Sequence, residues 1–380
     1  MRAIRSCATS EAGIGRTSRC RQTGAALRFF GVQGFSAAPA AELSRSAFTG
    51  DIRVTSMKYR LAAIGIPLTL LCGAVIGTKS SKSAELPKGH QRLNLSVGDR
   101  EREAILYVPP TYRKSVEVPL VLMLHGMGGT ATNSINETGW SKKADEAMFI
   151  VVYPEATRPD AESPPSFRTN PQAWNDGSGR FHAAEQQIDD VAFIEALIDH
   201  VVKDYAIDPK RIYVAGFSNG ASMAFRVGAE LPSAVAAIAP NAGACWMEKL
   251  QLSHGVSLCY ITGTADSWNP LEGGVPKLAI GGRDRGGLKK PAVQQTIEKW
   301  VQALECDGKP ERDTTTDGVR VRRYGKGRDG AEVDFTTVEG LGHHWAGGVS
   351  QAPEFLVGKN TKHLNATDVV WEFFSSHPKR

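Results

Sequence analysis

The chain has 380 residues, 41% of them hydrophobic and 22% charged, which are the proportions of a globular protein with a sizeable buried core rather than of a disordered or fibrous one. Its net charge of +5 is unevenly placed: residues 1–84 carry 12 Lys and Arg against 3 Asp and Glu, leaving 33 basic and 37 acidic residues in 85–380. That larger part is mildly acidic and has no basic stripe interleaved with aromatics, which argues against nucleic acid as a partner.

The amino-terminal region reads as an address rather than as architecture. Met57-Lys58-Tyr59-Arg60 is a short cationic start, residues 61–77 are an apolar run, and 78–84 are small and polar, the anatomy of a signal peptide. Seventeen residues are slightly short for a spanning helix, so cleavage is favoured, and a membrane location follows only if the 61–77 segment stays uncleaved. Leu71 stands before Cys72 where a lipoprotein signal needs a small residue. Residues 1–56, rich in Arg, Ser and Ala, are read either as a transit leader or, preferably, as sequence upstream of a true start at Met57.

Residues 92–97 and 103–108 alternate polar and apolar across Gly98-Asp99-Arg100, as an antiparallel hairpin does. From about residue 118 the pattern changes. Continuous apolar runs at 118–124, 149–153, 211–215, 236–239 and 257–262 read as strands covered on both faces, the mark of a mainly parallel sheet. Between them, Ile188, Val191, Ile194, Ile198, Val201 and Tyr205 recur at helical spacing, with Asp189 and Asp190 where a helix start attracts negative charge. Residues 155–187, rich in Pro, Gly and aromatics without a period, form a long loop of the kind that carries function. Residues 319–323 and 333–338 read as strands and 367–374 as a closing helix. No repeat or linker divides 85–380, which is expected to be one α/β domain with helices on both faces of its sheet. Of the three cysteines there, Cys259 lies in an apolar strand, and Cys245 with Cys306 is the one pair open to a disulfide.

Gly216-Phe217-Ser218-Asn219-Gly220 fits G-x-S-x-G, a weak pattern alone in a chain with 39 glycines. Its context is stronger: strand 211–215 runs directly into it and a helical stretch, 221–231, leaves it. A strand-to-helix turn this tight tolerates little bulk beside the serine, hence glycine on either side. A serine hydroxyl needs a base and the base an orienting carboxylate, in the order Ser, acid, His for this architecture. Asp266 follows strand 257–262 and a short turn, whereas Asp284, Asp307, Asp313 and Asp317 have no core strand before them. His343 follows strand 333–338 and the run Glu339-Gly340-Leu341-Gly342; the adjacent His344 satisfies the same spacing and remains the alternative. The oxyanion of an acyl-transfer intermediate would be met by the amides of Asn219 and of Met127, the latter within His125-Gly126-Met127-Gly128-Gly129. That glycine run lacks the Lys-Ser/Thr ending of a phosphate-binding loop.

With these motifs in order the chain resembles the polyhydroxybutyrate depolymerase-type esterases, a family related to bacterial feruloyl and acetyl-xylan esterases. The resemblance spans about residues 91–375 and rests on LHGMGGT at 124–130, WN at 174–175, IDDVAFIEALID at 188–199, RIYVAGFSNGASMA at 211–224, AAIAPNAG at 236–243, GTAD at 263–266, GHHWAGG at 342–348 and VVWEFF at 369–374. It implies the α/β-hydrolase fold, a triad of Ser218, Asp266 and His343, and Trp174, Trp345 and His344 as residues of the substrate pocket. The chain departs from the family's pattern at Thr262, where a histidine is usual, at Ala346, where a proline is usual, and near 324–328, where a cysteine that would pair with Cys306 is absent.

The activity implied is hydrolysis of a carboxylic ester through an acyl-enzyme, chemistry that requires no metal or organic cofactor. An exported enzyme, secreted or periplasmic, acting on a small or oligomeric ester such as a hydroxyalkanoate oligomer is the leading expectation. A feruloyl or acetyl-xylan esterase acting on plant polysaccharide is the runner-up. A serine peptidase, or a binding protein that lost catalysis, shares the residues but not the family.

Overall fold

The computed structural model describes residues 86–276, 289–350 and 352–380; the expected leader (1–56) and signal segment (57–84) lie outside these residues. Two antiparallel strands, β1 (His90–Val97) and β2 (Arg100–Tyr107), open the fold and turn at Gly98, whose φ is +61°. Eight further strands follow: β3 (Val118–Leu124), β4 (Ile150–Pro154), β5 (Ile207–Phe217), β6 (Ala237–Asn241), β7 (Ser257–Gly263), β8 (Arg312–Thr316), β9 (Val319–Tyr324) and β10 (Val333–Val338). They form one sheet in the order β1-β2-β4-β3-β5-β6-β7-β10-β9-β8. The run from β4 to β10 is parallel, flanked by the antiparallel hairpin at one edge and by β9 and β8 at the other.

The helices are α1 (Ala131–Thr138), α2 (Trp140–Ala147), α3 (Phe181–Glu185), α4 (Asp190–Asp204), α5 (Asn219–Glu230), α6 (Val293–Ala303), α7 (Glu354–Val357) and α8 (Ala366–Ser376). Because successive strand residues point to opposite faces, each central strand serves both layers, as β3 illustrates. Its Leu120, Leu122 and Leu124 join Phe193 of α4, Phe225 of α5 and Trp300 of α6, while Val121 and Met123 join Trp140 of α2 and Phe374 of α8. Every residue of β3, β4, β6 and β7 is buried, which is why these segments read as continuous rather than alternating.

This is the α/β-hydrolase architecture, as expected, with extensions. β8 is an exposed edge strand with no apolar signal, and α1, α2 and α6 went unanticipated. Asp190 plays a different part from the one its place at a helix start suggests. It is fully buried, takes a 2.7 Å hydrogen bond from Arg102 of β2 and another of 2.7 Å from the Asn175 amide, and so ties the long loop to the sheet edge. Asp189 instead caps α4, accepting from the Ala192 amide. The parallel order reverses between β3 and β5, one connection leading to β4 and the next toward β6. A crevice opens at the carboxyl ends of strands at such a switch point, and β5 ends there on Phe217, one residue before Ser218. Among the described residues no helix is long and apolar enough to cross a membrane.

Candidate active site

Ser218 sits between β5 and α5 with φ +56° and ψ −115°, a conformation that costs a non-glycine residue about 1–3 kcal/mol and persists only where the surroundings hold it. Three glycines make the holding possible. A Cβ on Gly216 would lie 2.2 Å from the Gly220 carbonyl oxygen, one on Gly220 would lie 2.3 Å from that of Leu124, and one on Gly243 would lie 2.6 Å from that of Ser218 itself. The Ser218 amide donates to the Asn241 carbonyl at 2.9 Å, anchoring the turn to β6, and the Ser218 carbonyl receives the Ser222 amide as the first turn of α5. Ser218 is thereby raised on a tight, braced elbow.

His343 Nε2 lies 2.8 Å from Ser218 Oγ, and His343 Nδ1 lies 2.8 Å from Asp266 Oδ2. The other carboxylate oxygen, Oδ1, accepts the amides of Trp268 and Asn269, each at 2.8 Å, so Asp266 is held at both oxygens. Burial alone would raise its carboxyl pKa, but the attraction and hydrogen bond of His343, the Asn269 amide and the Lys290 ammonium outweigh burial and hold it below the usual carboxylate range. An ionised Asp266 makes Nδ1 the protonated ring nitrogen and leaves the Nε2 lone pair facing the serine hydroxyl. The imidazole is clasped between two rings: Trp268, stacked at 5.4 Å and 12°, and Phe217, tilted at 4.9 Å. Trp268 is itself fixed by its indole N–H to the Leu356 carbonyl, and the His343 amide donates to the Val357 carbonyl of the same short helix, α7. The loops that carry Asp266 and His343 are thus locked to one another.

Of the two adjacent histidines, His343 is the one that meets Ser218, while His344 turns away and its Nε2 meets the Gly358 carbonyl at 2.7 Å. His344, Trp174 and Trp345, expected in the substrate pocket, are all buried with polar partners. Trp174 is 0% exposed, donates its indole N–H to the His125 carbonyl and packs on the His125 ring; Trp345 is 5% exposed and donates to Thr367 Oγ1 beside Trp140. A buried indole with a satisfied N–H braces a core more often than it greets a ligand. The tryptophan beside the chemistry is Trp268, two residues after Asp266, and the sequence offered only that proximity to find it.

The glycine loop lies directly against the nucleophile, since a Cβ on Gly126 would fall 3.2 Å from Ser218 Cβ. Within it the Gly128 amide is spent on the Gln172 carbonyl and the Gly129 amide on Gly126, whereas among the described residues the amides of Met127 and Asn219 have no protein acceptor. The Asn219 side chain is fully used: Oδ1 accepts the Trp174 amide, and Nδ2 donates to the Trp174 carbonyl and to buried Asp176. It stitches the long loop to the elbow.

His125 shapes this loop from beneath. Its Nε2 accepts the Ala156 amide at 3.1 Å, so Nδ1 carries the proton and donates to the Gly126 carbonyl at 2.8 Å. Burial pushes its pKa below the ordinary histidine value, more than the nearby Glu155 can raise it. On acidification through about 6.5 an unfolded chain protonates this histidine while the folded one does not, so the unfolded state binds more protons and stability falls with pH. Thermal midpoints measured between about pH 7 and 5 are expected to drop for the wild type and to drop less steeply for His125→Gln. Cys245, Cys259 and Cys306 are all free thiols, so the Cys245–Cys306 pair left open by the sequence is not a disulfide here.

Comparison with known proteins finds similarity to esterases. Residues 103–257 match the family model described as esterase PHB depolymerase. The protein NocK of Nocardia uniformis subsp. tsuyamanensis, named as an esterase, is 26% identical over 67% of this chain and 73% of its own length. Feruloyl esterase B of Piromyces equi is 27% identical over 64% of this chain and 42% of its own, and poly(3-hydroxyalkanoate) depolymerase C of Paucimonas lemoignei is 27% identical over 59% and 54%. The chain therefore spans about half the length of the latter two. The matched segment, residues 103–257, carries the glycine loop and Gly216 to Gly220, and along it the chain is similar to the esterase PHB depolymerase family.

Proposed function

We propose that the protein is an exported serine hydrolase of carboxylic esters, with Ser218 as nucleophile, His343 as general base and acid, Asp266 as its orienting anion, and the Met127 and Asn219 amides as oxyanion donors. The observation that carries this reading is the unbroken line from Asp266 Oδ2 through His343 to Ser218 Oγ, with both links at 2.8 Å. In the first half-reaction Ser218 Oγ bonds to the ester carbonyl carbon as its proton passes to His343 Nε2. The oxyanion forms beside the Met127 and Asn219 amides and the amino-terminal end of α5, whose dipole favours negative charge. Collapse breaks the bond to the alcohol, which leaves with the proton from His343. In the second half, water gives its proton to His343, attacks the acyl-enzyme and releases the acid, returning the proton to Ser218.

The substrate read as leading is a hydroxyalkanoate oligomer or similar ester, by likeness to the depolymerase relative; a feruloyl or acetyl-xylan ester is the second reading, by likeness to the feruloyl esterase. Export is supported by the signal-like anatomy of residues 57–84. A fluorophosphonate probe tests the assignment. It is expected to abolish hydrolysis of 4-nitrophenyl butyrate in proportion to a single adduct that peptide mass spectrometry maps to Ser218. Full inactivation with an unmodified Ser218 peptide, or an enzyme indifferent to the probe, would sink the proposal.

A further inference from the structure

Phe167 is one of the few large apolar side chains left open to solvent, 43% exposed, yet it is not loose on the surface. Its ring lies so close over Gly128 that a Cβ there would stand 2.3 Å from Phe167 Cδ2. Gly128 follows Met127, so the ring touches the backbone that presents an oxyanion donor. A larger residue at 128 would evict the ring, and at φ +74° a side chain is disfavoured in any case.

The turn that displays this ring is built with unusual investment. Ser166 and Asn170 exchange two backbone hydrogen bonds of 3.0 Å, closing a tight loop around residues 167–169. Asn170, only 4% exposed, gives its amide hydrogens to the carbonyls of Asp160, Ser163 and Pro164 and accepts the Asp160 amide at Oδ1. Arg158 adds bonds to the carbonyls of Ser163 and Ala161. Below the turn, the Gln172 carbonyl takes the Gly128 amide at 2.7 Å, and the Gln172 side chain donates to Ala156 and Glu155. Turn and glycine loop are thus one rigid body. A buried asparagine satisfied on every side fixes a turn whose tip carries an exposed aromatic, a hydrophobic surface that favours removal from water.

We propose that Phe167 is the specificity-determining wall of the substrate site, taking a flat aromatic or extended apolar group of the ester beside the scissile carbonyl. The inference rests on the esterase reading and narrows its substrate class: ring-bearing esters gain over small acyl esters of small alcohols. The ring is held on its Cδ2 side by Gly128, and its 43% exposure leaves surface to stack on or to cover a chain, a contact of the kind worth up to about tenfold in binding. The aromatic group could sit in either half of the ester, so the two halves are tested separately.

The experiment compares kcat/KM for methyl cinnamate (ring in the acid), phenyl acetate (ring in the alcohol) and methyl acetate (ring in neither), using the wild type, Phe167→Ala and Phe167→Tyr. In Phe167→Ala the ratio of one ring-bearing ester to methyl acetate is expected to fall about tenfold, and Phe167→Tyr is expected to restore it; the ester whose ratio falls names the half that meets the ring. An equal change on all three esters, or no change, overturns the proposal, because a merely structural turn would move them together. Failure of the wild type on all three and on 4-nitrophenyl butyrate would overturn the esterase reading itself, a result distinct from either.

Discussion

Replacing Ser218 by alanine is expected to lower kcat for ester hydrolysis by about 10^6, with little change in thermal midpoint. The size follows from the way the triad acts as a unit: without an oxygen at position 218 the proton held at His343 has no nucleophile to serve, and only oxyanion stabilisation and binding remain, about 10^3–10^4 over water. Adding His343→Ala to the same chain should therefore cost little more, since effects within such a unit are not additive. Stability should be spared because the Ser218 hydroxyl's hydrogen bond runs to His343, while the amide bond to Asn241 and the first turn of α5 are backbone interactions that alanine keeps. Alanine must still adopt φ +56°, a strain the serine already bears. Steady-state kinetics and a melting curve on the same preparation check both halves. Residual activity above about one part in a hundred would mean that another group attacks.

The difference between what could and could not be read in the sequence has a physical origin. Strands buried on both faces announce themselves in composition, so β3, β4, β6 and β7 were legible within a residue or two, and so was β10 with the loop that delivers His343. The convergence of Ser218, Asp266 and His343 was legible because each follows a core strand of the parallel run, Ser218 directly and the other two through short loops. Helix α6 escaped although Val293, Ile297, Trp300 and Val301 recur at helical spacing and are all buried. Helices α1 and α2 are each eight residues long and largely polar, with too few turns for a period to show. The tryptophans misled for a different reason. An indole ring suits a pocket and a core equally well, and all three rings have a partner for the N–H: Thr367 for Trp345, the His125 carbonyl for Trp174 and the Leu356 carbonyl for Trp268, so what separates Trp268 is its stacking on the His343 imidazole. Contacts between loops distant in the chain, such as Asn219 with Asp176 or Phe167 with Gly128, have no periodic trace at all.

The most damaging small change is expected at Gly220, which makes no chemical contribution. One methyl group there would stand 2.3 Å from the Leu124 carbonyl oxygen and 2.5 Å from that of His125, distances that no Cβ tolerates. Neither obstacle is a side chain that can rotate aside. Leu124 ends the fully buried central strand β3, and His125 begins the glycine loop, so either α5 lifts off the sheet or the oxyanion loop shifts. Overpacking against yielding side chains costs about 1–3 kcal/mol, and against backbone the cost should lie at or above the top of that range, a large part of a typical stability of 5–15 kcal/mol. Gly220→Ala should therefore melt well below the wild type, by about 10 °C on the scale of 2–4 °C per kcal/mol for a domain of this size. Whatever folds should lose at least about 10^2 in kcat/KM, because a displacement of about 1 Å separates Ser218 from its base and donors. Gly308→Ala supplies the contrast. Nothing lies within 4 Å of a Cβ there, and its φ is not in the left-handed region, so it should behave as wild type in both measurements. If the two variants melted alike, the tight approach of α5 to β3 would not be what holds Ser218 in its strained conformation.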